Sequence, residues 1–354
     1  MTTSPTRRAT NAPPAGSSPN AASPNPASPN PNPASPNPAP APAGLSSAGL
    51  ITVLLGAGLP ITDFFIVNVA LPTIDRSLDA SATMLELIVA GYGIAYGLLL
   101  VLGGRLGDTF GRRRLFVAGL TAFTITSLAC GLAPSAGLLV TARVLQGASA
   151  ALMLPQVLST IQATTTGERR SKALGLFGAT AGASMILGQL LGGLIVAADI
   201  AGTGWRPIFL VNVPIGLAGL LLARRHVPET RSVNPATVDL PGTALLGVGL
   251  LALMVPLTEG RALGWPLWIW LLLSASPIAL VGLVLVERRV ERAGRVPLLP
   301  PSVLRMPSVK RGLTLGAPFF VGFGGFMFVS AVTLQDGLDF GPLASGLALA
   351  PMAI

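Results

Sequence analysis

Gly104-Arg105-Leu106-Gly107-Asp108-Thr109-Phe110-Gly111-Arg112-Arg113-Arg114 is a glycine-rich, charge-dense stretch between two apolar runs, 84–102 and 115–132. Each run is close to the ~20 residues that a helix rising 1.5 Å per residue needs to cross a ~30 Å hydrocarbon core. Three consecutive arginines do not lie in lipid, so the stretch reads as a turn at a membrane face. The rest of the chain tells which face.

Working outward, the composition is that of a membrane protein. Hydrophobic residues make up 51% and charged residues 10%, with a mean hydropathy of +0.68. A soluble domain carries about 25% charged residues to cover its wet surface. Measured against the ~20-residue template, the apolar runs predict nine spans, at roughly 48–71, 84–104, 115–133, 137–161, 173–198, 207–223, 240–258, 266–286 and 312–334. A tenth starts near Leu343 and reaches Ile354, a length of about 18 Å that does not cross a bilayer. The chain therefore reads as cut within its tenth span. The expected fold class is all-α, a polytopic membrane helical bundle.

Residues 1–45 differ from the rest. They are polar and proline-dense, with a loose Ser-Pro-Asn-Pro repeat, and no apolar run follows Arg7 and Arg8 as it would in a signal peptide. With few backbone donors and nothing apolar to bury, this tail reads as disordered or polyproline-like.

Charge placement sets the orientation. With the tail on the cytoplasmic side, all 23 basic residues except Arg76, Arg206, Arg261 and Arg143 fall in cytoplasmic segments. That is the positive-inside pattern of a bacterial cytoplasmic membrane protein, with anionic lipid as the partner of its basic face. The net charge of +9 is thus a topology signal, and nucleic-acid binding is not supported. Trp205, Trp265 and Trp268 fall at expected outer ends of spans, where interfacial tryptophans sit. Arginine dominates lysine among the basic residues, and with heavy Ala, Gly and Pro use this points to a GC-rich bacterial genome.

Ionisable residues inside spans are the candidates for chemistry, because each costs roughly 2.5–3.5 kcal/mol at a helix centre. Asp63 lies about 12 Å below the outer end of the first span, and Arg143 about 9 Å below the outer end of the fourth. At matching depth the two can pair and offset each other's desolvation. Two readings remain open. One is a static ion pair that locks the bundle; the other is a switchable proton site, in which movement of Arg143 lets Asp63 take up a proton.

The fifth span carries Gly175, Gly178, Gly182, Gly188, Gly192 and Gly193 on one face. Gly178 with Gly182, and Gly188 with Gly192, have the small-xxx-small spacing that allows close helix approach. Gln189 is a polar group within that face. Glu86 reads as interfacial and His226 as solvated at a helix end. No phosphate-cradling loop of the G-x-x-x-x-G-K-[ST] type occurs, and Gly247-x-Gly249-x-x-Ala252 lies inside an apolar span. The lone Cys130 offers neither a disulfide nor a cysteine metal site. No histidine–carboxylate or serine–histidine arrangement points to an enzyme. No cofactor or metal is expected, and the oligomeric state is open.

Taken together these segments resemble the major facilitator superfamily, specifically its fourteen-span drug/proton antiporter branch. The stretch 104–114 is similar to the superfamily's loop between spans 2 and 3, with Gly104, Asp108, Gly111, Arg112 and Arg113 at motif positions and Thr109 where a basic residue is usual. Asp63-Phe-Phe-Ile-Val-Asn68-Val-Ala-Leu-Pro72 resembles the branch's first-span motif, with Phe65 in place of threonine. Arg143-Val-Leu-Gln146-Gly147-Ala-Ser-Ala-Ala151 resembles the fourth-span motif, whose arginine is associated with proton coupling. The stretch 182–193 resembles the antiporter motif, with Gln189 where proline is frequent. Trp205-Arg-Pro-Ile-Phe-Leu-Val-Asn-Val-Pro-Ile-Gly216 resembles the start of the branch's sixth span. Asp239-Leu-Pro-Gly242, followed by Glu259-Gly-Arg-Ala-Leu-Gly-Trp265, resembles its extra helix pair.

The resemblance runs from about residue 46 to the end, and it implies, after the tail at 1–45, a six-span bundle at 46–225, two linking spans at 226–290 and the start of a second, C-terminal bundle at 291–354. It implies a secondary transporter that exports small hydrophobic or cationic compounds in exchange for protons by alternating access. It also implies an inner gate at 104–114, in which Asp108 closes against a helix of the C-terminal half. Two alternatives stay open: an uptake permease of the same fold, and a non-transporting remnant.

Overall fold

The computed structural model describes residues 44–232, 239–261, 263–338, 340–341, 344 and 347–348; the tail and the expected tenth span lie almost wholly outside the described residues. The described residues form helices without strands: α1 Ser47–Leu78, α2 Ala82–Phe110, α3 Arg112–Gly131, α4 Ala136–Thr164, α5 Gly167–Ala198, α6 Pro207–Leu210, α7 Asn212–His226, α8 Leu240–Glu259, α9 Leu267–Arg292, α10 Pro301–Leu304 and α11 Pro307–Val332. Eight helices among the described residues are long and apolar enough to cross a membrane, α6 and α7 together forming one of them. The ninth expected span falls on α11, several of whose side chains are outside the described set.

Local chemistry sets the helix ends. Ser46, Ser81 and Ser135 each accept a hydrogen bond from a backbone N–H of the first turn, at 3.0, 3.3 and 3.4 Å. These caps satisfy donors that a helix start otherwise leaves open. Asp239 caps α8 in the same way, accepting from Gly242 N at 3.0 Å, with Pro241 just inside the helix. Asp79 and Asp199 end α1 and α5 in the left-handed conformation that short polar side chains tolerate.

The stretch 104–114 is not an extended turn. Helix α2 continues through Phe110, and α3 starts at Arg112, so the break is confined to Gly111. That residue has φ 107 and ψ 132, a backbone that only glycine adopts without strain. The charged residues expected in a loop are therefore held on two helix ends. Hydropathy could not show this, because arginine is a good helix former wherever water covers it, however polar the segment.

Helices α1 to α5 and α7 pack as one bundle. Helix α4 lies against α2 and α3, while α1 lies against α5 and α7; α8 pairs with α9 and touches the others mainly through α2. Two apolar clusters fill the interior. One gathers Val53, Phe116, Phe123, Met153 and Val227 toward the arginine-rich end, and the other gathers Ile66, Ile74, Ile88, Trp205 and Phe209 toward the opposite end. On the outside, large apolar side chains stay uncovered, among them Leu221 at 71%, Leu267 at 75% and Ile278 at 72% exposure. Apolar exposure on that scale marks a surface facing lipid. The protein is a multi-pass membrane bundle.

Trp205 differs from the interfacial position expected of it. It is buried at 1% exposure in the second cluster, edge-on to Phe209 with ring centroids 6.0 Å apart. Trp265 and Trp268 are on the surface. His226 is half-buried rather than solvated, with its carbonyl closely approached by Gly49.

Candidate functional site

Asp63 projects from α1 at the seam between the two apolar clusters, with Leu59 of one and Ile66 of the other on the adjacent turns. Its carboxylate and the guanidinium of Arg143, from α4, are both wholly buried, with Arg143 Nη1 2.5 Å from Asp63 Oδ2. A third helix enters through Asn212 at the start of α7, whose Nδ2 donates to Asp63 Oδ1 at 2.6 Å. Gln146, one turn along α4 from Arg143, donates from Nε2 to the same oxygen at 3.0 Å. A fourth helix, α3, contributes Ser127, whose Oγ accepts from Gln146 at 3.1 Å and Asn212 at 3.0 Å and donates to Phe209 O at 2.9 Å.

The guanidinium is held on several sides. Arg143 Nε donates to Ile88 O at 3.1 Å and Nη1 to Gln146 Oε1 at 2.9 Å. Its central carbon lies 4.3 Å from the Tyr92 ring centroid and 5.7 Å from that of Phe209. Nη2 is buried and has no hydrogen-bond partner among the described residues. Buried charges persist where they are paired and hydrogen-bonded, and this pair is both.

An apolar cavity of about 230 Å³ adjoins the pair, walled by Pro60, Phe64, Phe65, Tyr92, Tyr96 and Leu154. Tyr92 belongs to both sites. Its ring lines the cavity and supports Arg143, and its hydroxyl donates to Pro60 O at 3.0 Å.

The other residues singled out from the sequence fall into three groups. Gly147 is where α4 meets α2: a Cβ there would collide with the Tyr92 backbone, as one on Gly103 would with Ala151 O. Asn68 donates to Phe64 O and Phe65 O of its own helix, both at 3.3 Å, and Pro72 lies on an exposed face of α1. Neither reaches Asp63.

The glycine face of α5 splits in two. Gly188 and Gly192 pack on α1, where an added Cβ would lie 2.6 Å from Thr62 O and 2.8 Å from Ile66 O respectively. Gly193 is buried beside them. Gly175, Gly178 and Gly182 meet nothing within 4 Å among the described residues, so the spacing of Gly178 with Gly182 is not used for close approach there. Gln189 is half-buried within α5.

At the arginine-rich end, Asp108 accepts from Arg112 at 2.8 Å across the Gly111 break, and Arg112 also donates to Ser159 O of α4 at 3.2 Å. The segment after α7 then clamps this junction. Thr230 O accepts from Arg112 N at 3.0 Å, and Glu229 Oε1 accepts from Arg113 N at 3.2 Å. Glu229 also lies 3.7 Å from both Arg113 and Arg114. Gly104 faces Pro155 of α4.

Sequence reasoning missed Asn212, Ser127, Tyr92 and Glu229. Asn212 carried a signal, as an amide between valines in an apolar run. Ser127 did not stand out, since hydroxyls are common in spans, and Tyr92 and Glu229 acquire meaning only through contacts distant in the chain. Among the described residues, no group of three or more His, Cys, Asp or Glu could hold a metal ion.

Residues 53–354 match the family described as the Major Facilitator Superfamily, and the chain belongs to it. Relatives include a probable actinorhodin transporter of Streptomyces coelicolor, 39% identical over 85% of this chain and 52% of its own length. The puromycin resistance protein pur8 of Streptomyces alboniger is 39% identical over 86% of this chain and 59% of its own. The tetracenomycin C resistance and export protein of Streptomyces glaucescens is 33% identical over 86% and 55%. The chain thus spans little more than half the length of these relatives. The crystal structure of the peptide transporter POT with sulfate superposes with a TM-score of 0.52 at 18% identity, over 88% of this chain and 69% of that one. Tetrameric PepTSo2 gives 0.55 at 14% identity, over 86% and 70%. These structural likenesses show the fold.

Proposed function

We propose that this chain is part of a proton-coupled exporter of small hydrophobic or cationic compounds, with Asp63 as its proton site. The observation that carries the reading is the wholly buried contact of Asp63 with Arg143 beside an aromatic-walled cavity, the two joined by Tyr92. A charge pair deep in a bundle is expensive, and in transport proteins such residues mark ion and substrate pathways. The cavity contributes flat rings suited to apolar or cationic ligands. The names of the relatives, which concern actinorhodin transport, puromycin resistance and tetracenomycin C export, support export of compounds of that kind.

Coupling follows from differential affinity. A proton on Asp63 weakens its hold on Arg143, and whichever conformation tolerates the neutral acid gains population. The arginine-rich end faces the cytoplasm in this reading, and the clamp of Asp108, Arg112 and Glu229 belongs to the inner gate. Residues 46–225 act as the first half of the carrier and α8 with α9 as the linker.

The test is efflux of a fluorescent aromatic cation from cells expressing the whole open reading frame that encodes this chain. Asp63→Asn is expected to abolish gradient-dependent efflux while membrane insertion stays intact. Undiminished efflux from that variant removes Asp63 from the mechanism. Accumulation in place of efflux by the unaltered protein identifies an uptake permease.

A further inference from the structure

We propose that Asn212 and Gln146 determine which oxygen of Asp63 takes the proton, and that this choice makes protonation release Arg143. The inference rests on the proton-site reading above and adds to it the accepting atom and two positioning residues.

A carboxylate offers about four lone-pair positions, two on each oxygen. On Oδ1 both are filled, by Asn212 Nδ2 at 2.6 Å and Gln146 Nε2 at 3.0 Å. Neither donor is free to leave. Each amide also donates to Ser127 Oγ, and Ser127 spends its own proton on Phe209 O. The Gln146 carbonyl is held in turn by Arg143 Nη1 at 2.9 Å and by the Cys130 thiol at 3.5 Å, so turning that amide over would face an NH₂ group toward the guanidinium. Oδ2, by contrast, carries the guanidinium alone. An incoming proton therefore binds at Oδ2.

The two oxygens lead to different outcomes. A proton on Oδ1 would leave Oδ2 a carbonyl oxygen, a good acceptor that Arg143 could keep. A proton on Oδ2 fills its open position and turns that atom into a carboxylic hydroxyl oxygen, a much poorer acceptor for the guanidinium than a carbonyl oxygen. The hydrogen bond from Arg143 is then weakened at the same moment as the charge attraction is removed. One O–H bond forms, no covalent bond breaks, and the pair passes from net neutral to a single positive charge on Arg143. That cation has places to go: Ile88 O and the rings of Tyr92 and Phe209 already surround it, and its Nη2 has no hydrogen bond to give up.

The titratable or charged groups facing Asp63 are Arg143 from α4, Tyr92 from α2 and Cys130 from α3. The charged residues of α5 and α7 lie at the far, basic ends of those helices, from Glu168 to Lys172 and from Arg224 to His226.

The chain has two tyrosines, so fluorotyrosine labelling gives a fluorine NMR spectrum of two resonances, assignable with Tyr96→Phe. Infrared difference spectra follow the Asp63 carboxyl band, identified by its loss in Asp63→Asn. In lipid nanodiscs, lowering the pH of the unaltered chain should raise the carboxyl band and shift the Tyr92 resonance together. In Asn212→Ala, Oδ1 gains an open position. The carboxyl band should still titrate while the pH-driven shift of Tyr92 is lost. Gln146→Met opens the other position and serves as the second variant if Asn212→Ala does not fold.

A Tyr92 shift of unaltered size in either folded variant overturns the assignment to Oδ2 and leaves Asp63 as the proton site. Loss of the carboxyl band in both variants also overturns the assignment. A carboxyl band absent from the unaltered chain at every pH overturns the proton-site reading and this inference with it.

Discussion

The Arg143 guanidinium lies 4.3 Å from the centroid of the Tyr92 ring, and that same ring is a wall of the apolar cavity beside it. In the proposed mechanism, a compound in the cavity and a cation leaving Asp63 meet at this one side chain. A desolvated cation–π contact is worth about 2 kcal/mol. Tyr92→Leu should lower the efflux rate by at least about tenfold, since 1.4 kcal/mol is a factor of ten. Tyr92→Phe keeps the ring, loses only the bond to Pro60 O, and should stay within about threefold. Equal losses in the two variants, measured as initial efflux rates, would show that the ring is not the coupling element.

Breaking a buried ion pair from one side leaves the other charge uncompensated, at a cost of about 3–5 kcal/mol. Arg143→Ala should therefore lower the unfolding temperature in detergent sharply. Adding Asp63→Asn to it should recover part of the loss, because the orphaned carboxylate is gone. A double variant less stable than Arg143→Ala would mean that Asp63 is held mainly by its amide donors, Asn212 and Gln146.

The divided glycine face of α5 gives opposite expectations for one substitution. Gly188→Ala sets a methyl group 2.6 Å from Thr62 O, and overpacking of that kind costs about 1–3 kcal/mol. Gly178→Ala meets nothing among the described residues, and alanine in a helix gains about 0.5–1 kcal/mol over glycine. Thermal unfolding of the two variants should move in opposite directions. The reverse order would mean that α5 presents its other half to α1.

Gly111→Ala meets both a backbone obstacle and a steric one. Its φ of 107 is costly for any L side chain, and the new Cβ would lie 2.6 Å from Glu229 Oε1. The expected result is faster proteolysis between α7 and α8, because the clamp on Arg112 and Arg113 loosens. Glu229→Gln alone should change stability by less than about 1 kcal/mol, as partly exposed ion pairs contribute little. Limited proteolysis with mass mapping compares the two variants directly.

Orientation is checked separately. A reporter enzyme fused after Arg114 should be active in the form diagnostic of the cytoplasm, and one fused after Gly204 in the form diagnostic of the outside. An exchanged pattern would reverse the charge-based topology and place the clamp of Asp108 and Arg112 at the outer face.

The class of the fold was legible in the chain because hydrocarbon imposes it. Lipid offers no hydrogen-bond partners, so runs of about 20 apolar residues have to be helices, and the few charges left inside have to find one another. Asp63 and Arg143 stood out for that reason, by depth alone. Depth along a helix axis does not give rotation about it, and rotation decides the rest. It turns Asn212 toward Asp63 while Asn68, on the same helix as Asp63, bonds only to its own turn. It sets Gly188 against α1 and leaves Gly178 open, although both lie on one glycine-rich stripe. The break at Gly111 was obscured by a different cause: a charged run reads as a loop when only hydropathy is weighed, whereas water at the helix ends lets those residues stay helical. By itself the sequence determined that this protein is a membrane helical bundle with a costly acid–base couple in its interior. Only the tertiary structure decided which amides fill Oδ1, which ring supports Arg143 and what holds the arginine turn, because each of those contacts joins residues that are distant in the chain and depends on how neighbouring helices are rotated.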